Sequence, residues 1–256
     1  MSLLGLAVLA LVGFASGFVD AIAGGGGLLT LPALALAGLD PVAAVATNKL
    51  AGTFGTASAT LSFARAGKIR PNMAPAALAA CVGAILGALM LPFAPRAFLA
   101  RALPFVLIGV ALYFAFAPNL GEAERRQRLS PALYASTLAP AIGFYDGVFG
   151  PGAGSFYMIA LVALVGFPII PAMAGARSSN FGSNFGALVV YALSGHIVVA
   201  AGLAMGAGAF LGARLGAATA LRAGARLVRP LIAVVSCAMA LRLMAAPGGP
   251  LALIWK

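Results

Sequence analysis

Four charged residues in otherwise apolar surroundings carry the first chemical clue. Asp20 lies in GFVDAIAGGGGLLTLPAL (17–34) and Asp146 in GFYDGVFGPGAGS (143–155), each a few residues ahead of a glycine cluster. Lys49 lies in ATNKLAGTFGTAS (46–58) and Arg177 in ARSSNFGSNFG (176–186). A cation at the centre of a membrane helix costs about 2.5–3.5 kcal/mol on insertion scales, so it generally has a partner or a task. Thr47, Asn48, Thr53, Thr56 and Ser58 surround the first cation; Ser178, Ser179, Asn180, Ser183 and Asn184 surround the second. Such uncharged groups can hold the oxygens of an oxyanion alongside a cation. The competing reading is that the cations snorkel to an interface and the hydroxyls bond to nearby backbone.

The glycines add a second device. Gly24, Gly25, Gly26 and Gly27 lead into an apolar segment at 26–38, which as a helix reaches about 20 Å against a hydrocarbon core of about 30 Å. Glycine lets the chain turn sharply, and the freed N–H groups and positive dipole end of a helix start suit an anion. GPGAGS (150–155) repeats the device with Gly150, Gly152 and Ser155. Close helix packing is the other use of such small residues. Asp20 and Asp146 would repel an anion unless they pair with Lys49 or Arg177, or take up a proton when the site is filled. Capping a neighbouring helix start is a third role. Spacing leaves all three open.

The elements that must position these residues follow from composition. Of 256 residues, 62% are hydrophobic and 8% charged, where a soluble domain is nearer a quarter charged. Mean hydropathy is +1.07. Apolar runs containing Gly and Pro point to an all-α membrane protein, a helical bundle rather than a barrel of alternating strands. Ten apolar segments are expected, at 2–22, 26–38, 42–64, 74–92 and 98–117, then 131–149, 154–169, 172–194, 197–213 and 229–246. Some are broken or half-spanning, so the expectation is eight to ten transmembrane segments. The net charge of +11 sits in short connections and reads as topology signals, not as a nucleic-acid surface.

The segments divide into two homologous halves, 1–117 and 131–256, joined by a polar linker at 118–130 that holds Glu122, Glu124, Arg125, Arg126 and Arg128. GFVDAIAGGG aligns with GFYDGVFGPG, GKI (67–69) with GHI (195–197), and GAILGA (83–88) with GAFLGA (208–213). Order is kept throughout, and Lys49 coincides with Arg177, Asp20 with Asp146. Arg65, Lys68 and Arg70 mark one loop as cytoplasmic, as do the linker arginines and the set Arg214, Arg222, Arg226 and Arg229. Equivalent loops then fall on opposite faces, which makes the duplication an inverted repeat, an arrangement common in secondary transporters. Arg96 and Arg101 fall outside by this scheme and go against the charge rule.

Cys81, Cys237 and His196 form no CxxC or other ligand pattern, so no disulfide, metal or cofactor is expected. No Walker A sequence is present, so the chain does not itself hydrolyse ATP. Trp255 and Lys256 read as interface anchors.

DAIAGGGGLLTLP, ATNKL and GFYDGVFGPGAGSFY together resemble the TauE/SafE family of bacterial membrane proteins, over essentially the whole chain and most closely its YfcA-like branch. The resemblance implies a multi-pass inner-membrane protein of two related halves that exports sulfite, a sulfonate or a related anion. The reading is therefore a secondary transporter exporting a small anion and coupled to the proton gradient. A passive anion channel is the alternative. A membrane-embedded enzyme ranks last, for want of a nucleophile with a base. Partners are the anion and the bilayer; oligomeric state is open. The candidate substrate site comprises Gly24 to Gly27, Asn48, Lys49, Gly150, Gly152, Ser155, Arg177, Ser178, Asn180 and Asn184, with Asp20 and Asp146 for proton coupling.

Overall fold

The computed structural model describes residues 1–91 and 126–245, with side chains to 224 and at 234. The segment at 98–117, Arg96, Arg101, Glu122, Glu124, Arg125, Trp255 and Lys256, and the side chain of Cys237, lie outside the described residues. Within them the chain is helical, with no strand.

Helix α1, Leu3–Ala23, is capped at its start by Ser2, whose hydroxyl accepts the Gly5 N–H. It stops at Gly24, which adopts a left-handed conformation at φ 86°. Helix α2, Gly27–Leu36, begins after Gly24, Gly25 and Gly26; at about 1.5 Å per residue it covers about half a bilayer. Asp40 then caps α3, Pro41–Arg65, by accepting the Val42 and Ala43 N–H groups, and Pro41 fills a first-turn position that needs no donor. A 3₁₀ turn at Pro71–Met73 leads into α4, Ala74–Met90.

In the second half, α5 runs through Pro131–Leu133, a π turn at Tyr134–Leu138 and Ala139–Val148. After Gly150 and Gly152, both at positive φ, comes α6, Ala153–Ala160, extended by a π turn at Leu161–Val165. Helix α7 spans Ile169–Leu193 and α8 spans Val199–Ala245, broken at Gly224. Gly224, at φ 64° and ψ −166°, divides this stretch into two helices, in keeping with the separate segments expected at 197–213 and 229–246, though the first runs on to Gly224. Arg214 and Arg222 lie on the helix before Gly224, not in a loop, because the intervening residues are mostly Ala, Leu and Arg, all strong helix formers.

Among the described residues three stretches are long and apolar enough to cross a membrane: Leu3–Ala23, Pro71–Met90 and Val199–Gly224. Helices α3 and α7 have 25 residues each, length enough to span, but they carry the polar sets and bury them.

Helix α1 packs on α8 and α4 on α5, while α3 and α7 pack on each other and on α8 and α4 respectively. The contact strips are small residues four apart. A methyl group placed on Gly208 or Gly212 would come within 1.9 Å of the Ala10 or Phe14 carbonyl oxygen of α1, and Gly83 and Gly87 stand equally close to Pro140 and Phe144 of α5. The two GAxLGA motifs are therefore seams, the one on α4 meeting α5 and the one on α8 meeting α1. Lipid supplies no hydrophobic drive between helices, so close backbone approach of this kind does the work. Helices α3 and α7 run antiparallel. Arg70, just after α3, stacks 4.2 Å from the Phe167 ring just before α7, and the Val198 N–H after α7 donates to Thr47 near the start of α3 at 3.0 Å.

Candidate functional site

The two helix interruptions meet. The turn after α1 lies against the first turn of α6 so tightly that a Cβ on Gly24 would sit 2.3 Å from the Gly154 carbonyl carbon. Ser155 donates across this contact to the Ala23 carbonyl at 2.6 Å. First-turn amides of a helix have no partner within the helix, so the starts of α2 and α6 bring two sets of such donors to one place.

Asp146 pairs with Lys49 and Asp20 with Arg177. Lys49 Nζ on α3 lies 2.6 Å from Asp146 Oδ1 on α5, and Ser183 on α7 donates to Asp146 Oδ2. Arg177 on α7 donates to Asp20 on α1, at 2.6 Å to its carbonyl and 3.1 Å to Oδ2, and to the Gly154 carbonyl at 2.9 Å. Asp20 Oδ1 also accepts the Gly26 N–H at 3.0 Å, so this aspartate both pairs and caps the start of α2. The side chains of Lys49 and Arg177 are 1% and 0% exposed. A buried charge is tolerable only with its partner and further hydrogen bonds in place, and both sets supply them. Arg177 Nε alone makes no hydrogen bond.

A cavity of about 40 Å³ lies between the interruptions, room for about three water-sized groups, the scale of a small oxyanion. Its wall includes Asp20, Asp146, Asn48, Asn180, Asn184 and the glycines Gly24, Gly26, Gly27, Gly150 and Gly152. Among the other residues expected at the site, Lys49 and Arg177 stand behind the aspartates. Gly25 and Ser155 flank the wall, and Ser178 lies partly exposed away from it. Ser16, Thr30, Thr56 and Gly154 also line it. Ser16 and Thr30 were not singled out in the sequence; a signal existed, since Ser16 precedes Asp20 by four residues and Thr30 follows Gly26 by four, each on one helix face.

The hydrogen-bond network orients the amides. Thr30 donates to Asn48 Oδ1, and Asn184 Nδ2 donates to Asn180 Oδ1 at 2.9 Å and to the Asn180 carbonyl at 2.8 Å. With both carbonyl oxygens used, Asn48 and Asn180 keep their Nδ2 groups as donors for a ligand. The wall thus combines amide donors and helix starts with two carboxylates whose charges are balanced from behind. Among the described residues no group of His, Cys, Asp and Glu could hold a metal.

Residues 9–243 match the family model described as sulfite exporter TauE/SafE. The chain is 47% identical over 251 residues to a protein of Sinorhizobium sp named probable membrane transporter protein ORF9, covering 98% of this chain and 96% of that one. It is 42% identical over 251 residues to the probable membrane transporter protein YfcA of Escherichia coli K12, covering 98% and 93%. A probable membrane transporter protein of Haemophilus influenzae is 41% identical over 242 residues, covering 93% and 94%. No solved structure matches the chain significantly. With a family model spanning nearly the whole chain and full-length relatives named as transporters, this is a membrane transporter of the TauE/SafE family.

Proposed function

We propose that the chain exports a small oxyanion of the sulfite or sulfonate class across a bacterial inner membrane, as a secondary transporter coupled to the proton gradient. The observation that carries this reading is the shared cavity: two helix starts and two asparagine amides supply donors, and two carboxylates able to take a proton face the same space. A proton on either aspartate releases the cation behind it from its partner and so alters the cavity's hold on an anion, which ties the binding of the two ligands together.

Purified protein in vesicles, given radiolabelled sulfite under defined pH gradients, tests the reading. Accumulation against a concentration gradient that follows the proton gradient separates a coupled carrier from a passive channel. Asn48→Ala and Asn180→Ala should each weaken sulfite binding about tenfold, the loss of one hydrogen bond to a charged ligand. Unaltered affinity in both would remove the amides from the site.

An inverted repeat of 1–117 and 131–256 about the linker 118–130 belongs to the same reading, supported by the antiparallel run of α3 and α7 and by the reciprocal packing of α1 on α8 and α5 on α4. Lys68 and His196, both exposed, should then lie on opposite faces. With single cysteines introduced into a cysteine-free chain, an impermeant thiol reagent on intact cells is expected to label position 196 and not 68. Equal labelling would point to a parallel duplication instead.

A further inference from the structure

The two ion pairs at the cavity differ in what would hold each cation once its carboxylate is neutral. Lys49 is 1% exposed, and among the described residues its ammonium hydrogen-bonds to Asp146 Oδ1 alone. Asp146 is committed on both oxygens, to Lys49 and to the Ser183 hydroxyl, and its side chain is 3% exposed. A proton there would strand a buried ammonium, the costliest way to break such a pair. Arg177 is held differently. Besides Asp20 Oδ2 at 3.1 Å it donates to two backbone carbonyls, that of Asp20 at 2.6 Å from the same Nη1 and that of Gly154 at 2.9 Å from Nη2. Neither carbonyl titrates, so the guanidinium keeps both bonds when the carboxylate charge is lost. The Asp20 side chain, 16% exposed, is also the more accessible of the two carboxylates. Its Oδ1 accepts the Gly26 N–H at 3.0 Å, a bond that the carbonyl oxygen of a carboxylic acid makes as well. A proton on Oδ2 therefore removes one hydrogen bond, the longest of the three from Arg177, and leaves the start of α2 capped.

We propose that Asp20 is the carboxylate that carries the coupling proton, and that the Lys49–Asp146 pair stays ionised throughout as a fixed clamp between α3 and α5. The inference rests on the proton-coupled reading above. Hydronium reaching the cavity gives its proton to Asp20 Oδ2 and becomes water, the carboxylate becomes a carboxylic acid, and the reverse transfer returns the proton to water. With Asp146 balanced by Lys49, the charge of the wall rises by one unit when Asp20 is protonated, because Arg177 then has no counter-ion. That change, beside the Asn48 and Asn180 amides, links the proton to the anion. Among the described residues the charges that face Asp20 are Arg177 from α7 and, across the cavity, Asp146 with Lys49 behind it. Helices α2 and α6 carry no charged residue, and Arg214 and Arg222 on α8, which packs on α1, are exposed.

The test has a stability arm and a transport arm. Asp20→Asn, close in shape to the neutral acid, should melt near the wild-type temperature, while Asp146→Asn, which strands Lys49, should melt well below both. In vesicles, sulfite movement driven by a pH gradient of either orientation is compared with sulfite-for-sulfite exchange without one. Asp20→Asn is expected to lose the gradient response, its driven flux falling to the level seen without a gradient. The double variant Lys49→Gln/Asp146→Asn, which leaves no buried charge unpaired, should still respond to the gradient whatever its exchange rate. A gradient response kept in Asp20→Asn, or lost in the double variant, overturns the assignment while leaving the coupled reading intact. An Asp20→Asn protein that melts as low as Asp146→Asn overturns it as well, by removing the difference between the two pairs. Wild-type protein that exchanges sulfite but ignores the gradient overturns the coupled reading, and the assignment with it.

Discussion

Lys49→Gln is expected to lower the yield and thermal stability of the membrane-inserted protein sharply, and the double variant Lys49→Gln/Asp146→Asn to recover most of both. The reason is where the charge sits. Lys49 is 1% exposed, 2.6 Å from a carboxylate that is itself 3% exposed. Removing one partner of a buried pair leaves the other charge uncompensated, at a cost of about 3–5 kcal/mol, whereas replacing both with neutral amides of similar shape is far milder. Thermal unfolding of purified protein, with the single Asp146→Asn variant completing the cycle, measures the coupling. A Lys49→Gln protein of normal stability but with sulfite affinity lowered tenfold or more would contradict this expectation and place the ammonium in direct contact with the anion.

Gly24→Ala should be damaging for a different reason, and Gly38→Ala provides the control. Both glycines adopt positive φ, at 86° and 89°, but a methyl group on Gly38 meets nothing within 4 Å, while one on Gly24 falls 2.3 Å from both the Gly154 carbonyl carbon and the Ser155 nitrogen. Left-handed backbone costs an alanine about 1–2 kcal/mol at either site. At Gly24 the methyl group also strikes the backbone of α6, which cannot rotate away, so the two helix interruptions must separate and the cavity between them must open. The expected result is a small loss of stability for Gly38→Ala. Gly24→Ala should lose several times more and bind no sulfite, as should Gly154→Ala, where the added carbon would lie 2.8 Å from the Gly24 Cα. Similar melting temperatures for Gly24→Ala and Gly38→Ala would mean that the two interruptions do not touch in solution.

Much of this was legible in the sequence because it depends on local chemistry. The helical bundle follows from the density of apolar runs, and the interruption after α1 from Gly24 to Gly27, since no other residue so readily takes the left-handed turn. The polar sets around Lys49 and Arg177 are too costly in a membrane to be incidental.

Which aspartate answers which cation was decided only by tertiary structure. The partners lie 97 and 157 residues apart, and a pairing within each half would have had the same composition and spacing. The crossed arrangement goes with the GAxLGA seams, which dock α8 on α1 and α4 on α5 while α3 and α7 pass each other in opposite directions. The same docking turned Ser16 and Thr30, ordinary hydroxyls in sequence, into cavity wall. At Arg214 and Arg222 the basic charges suggested a loop, but local helix propensity carried α8 on to Gly224. Charge reports where a chain can meet water; the contacts of folded helices determine which groups it meets there.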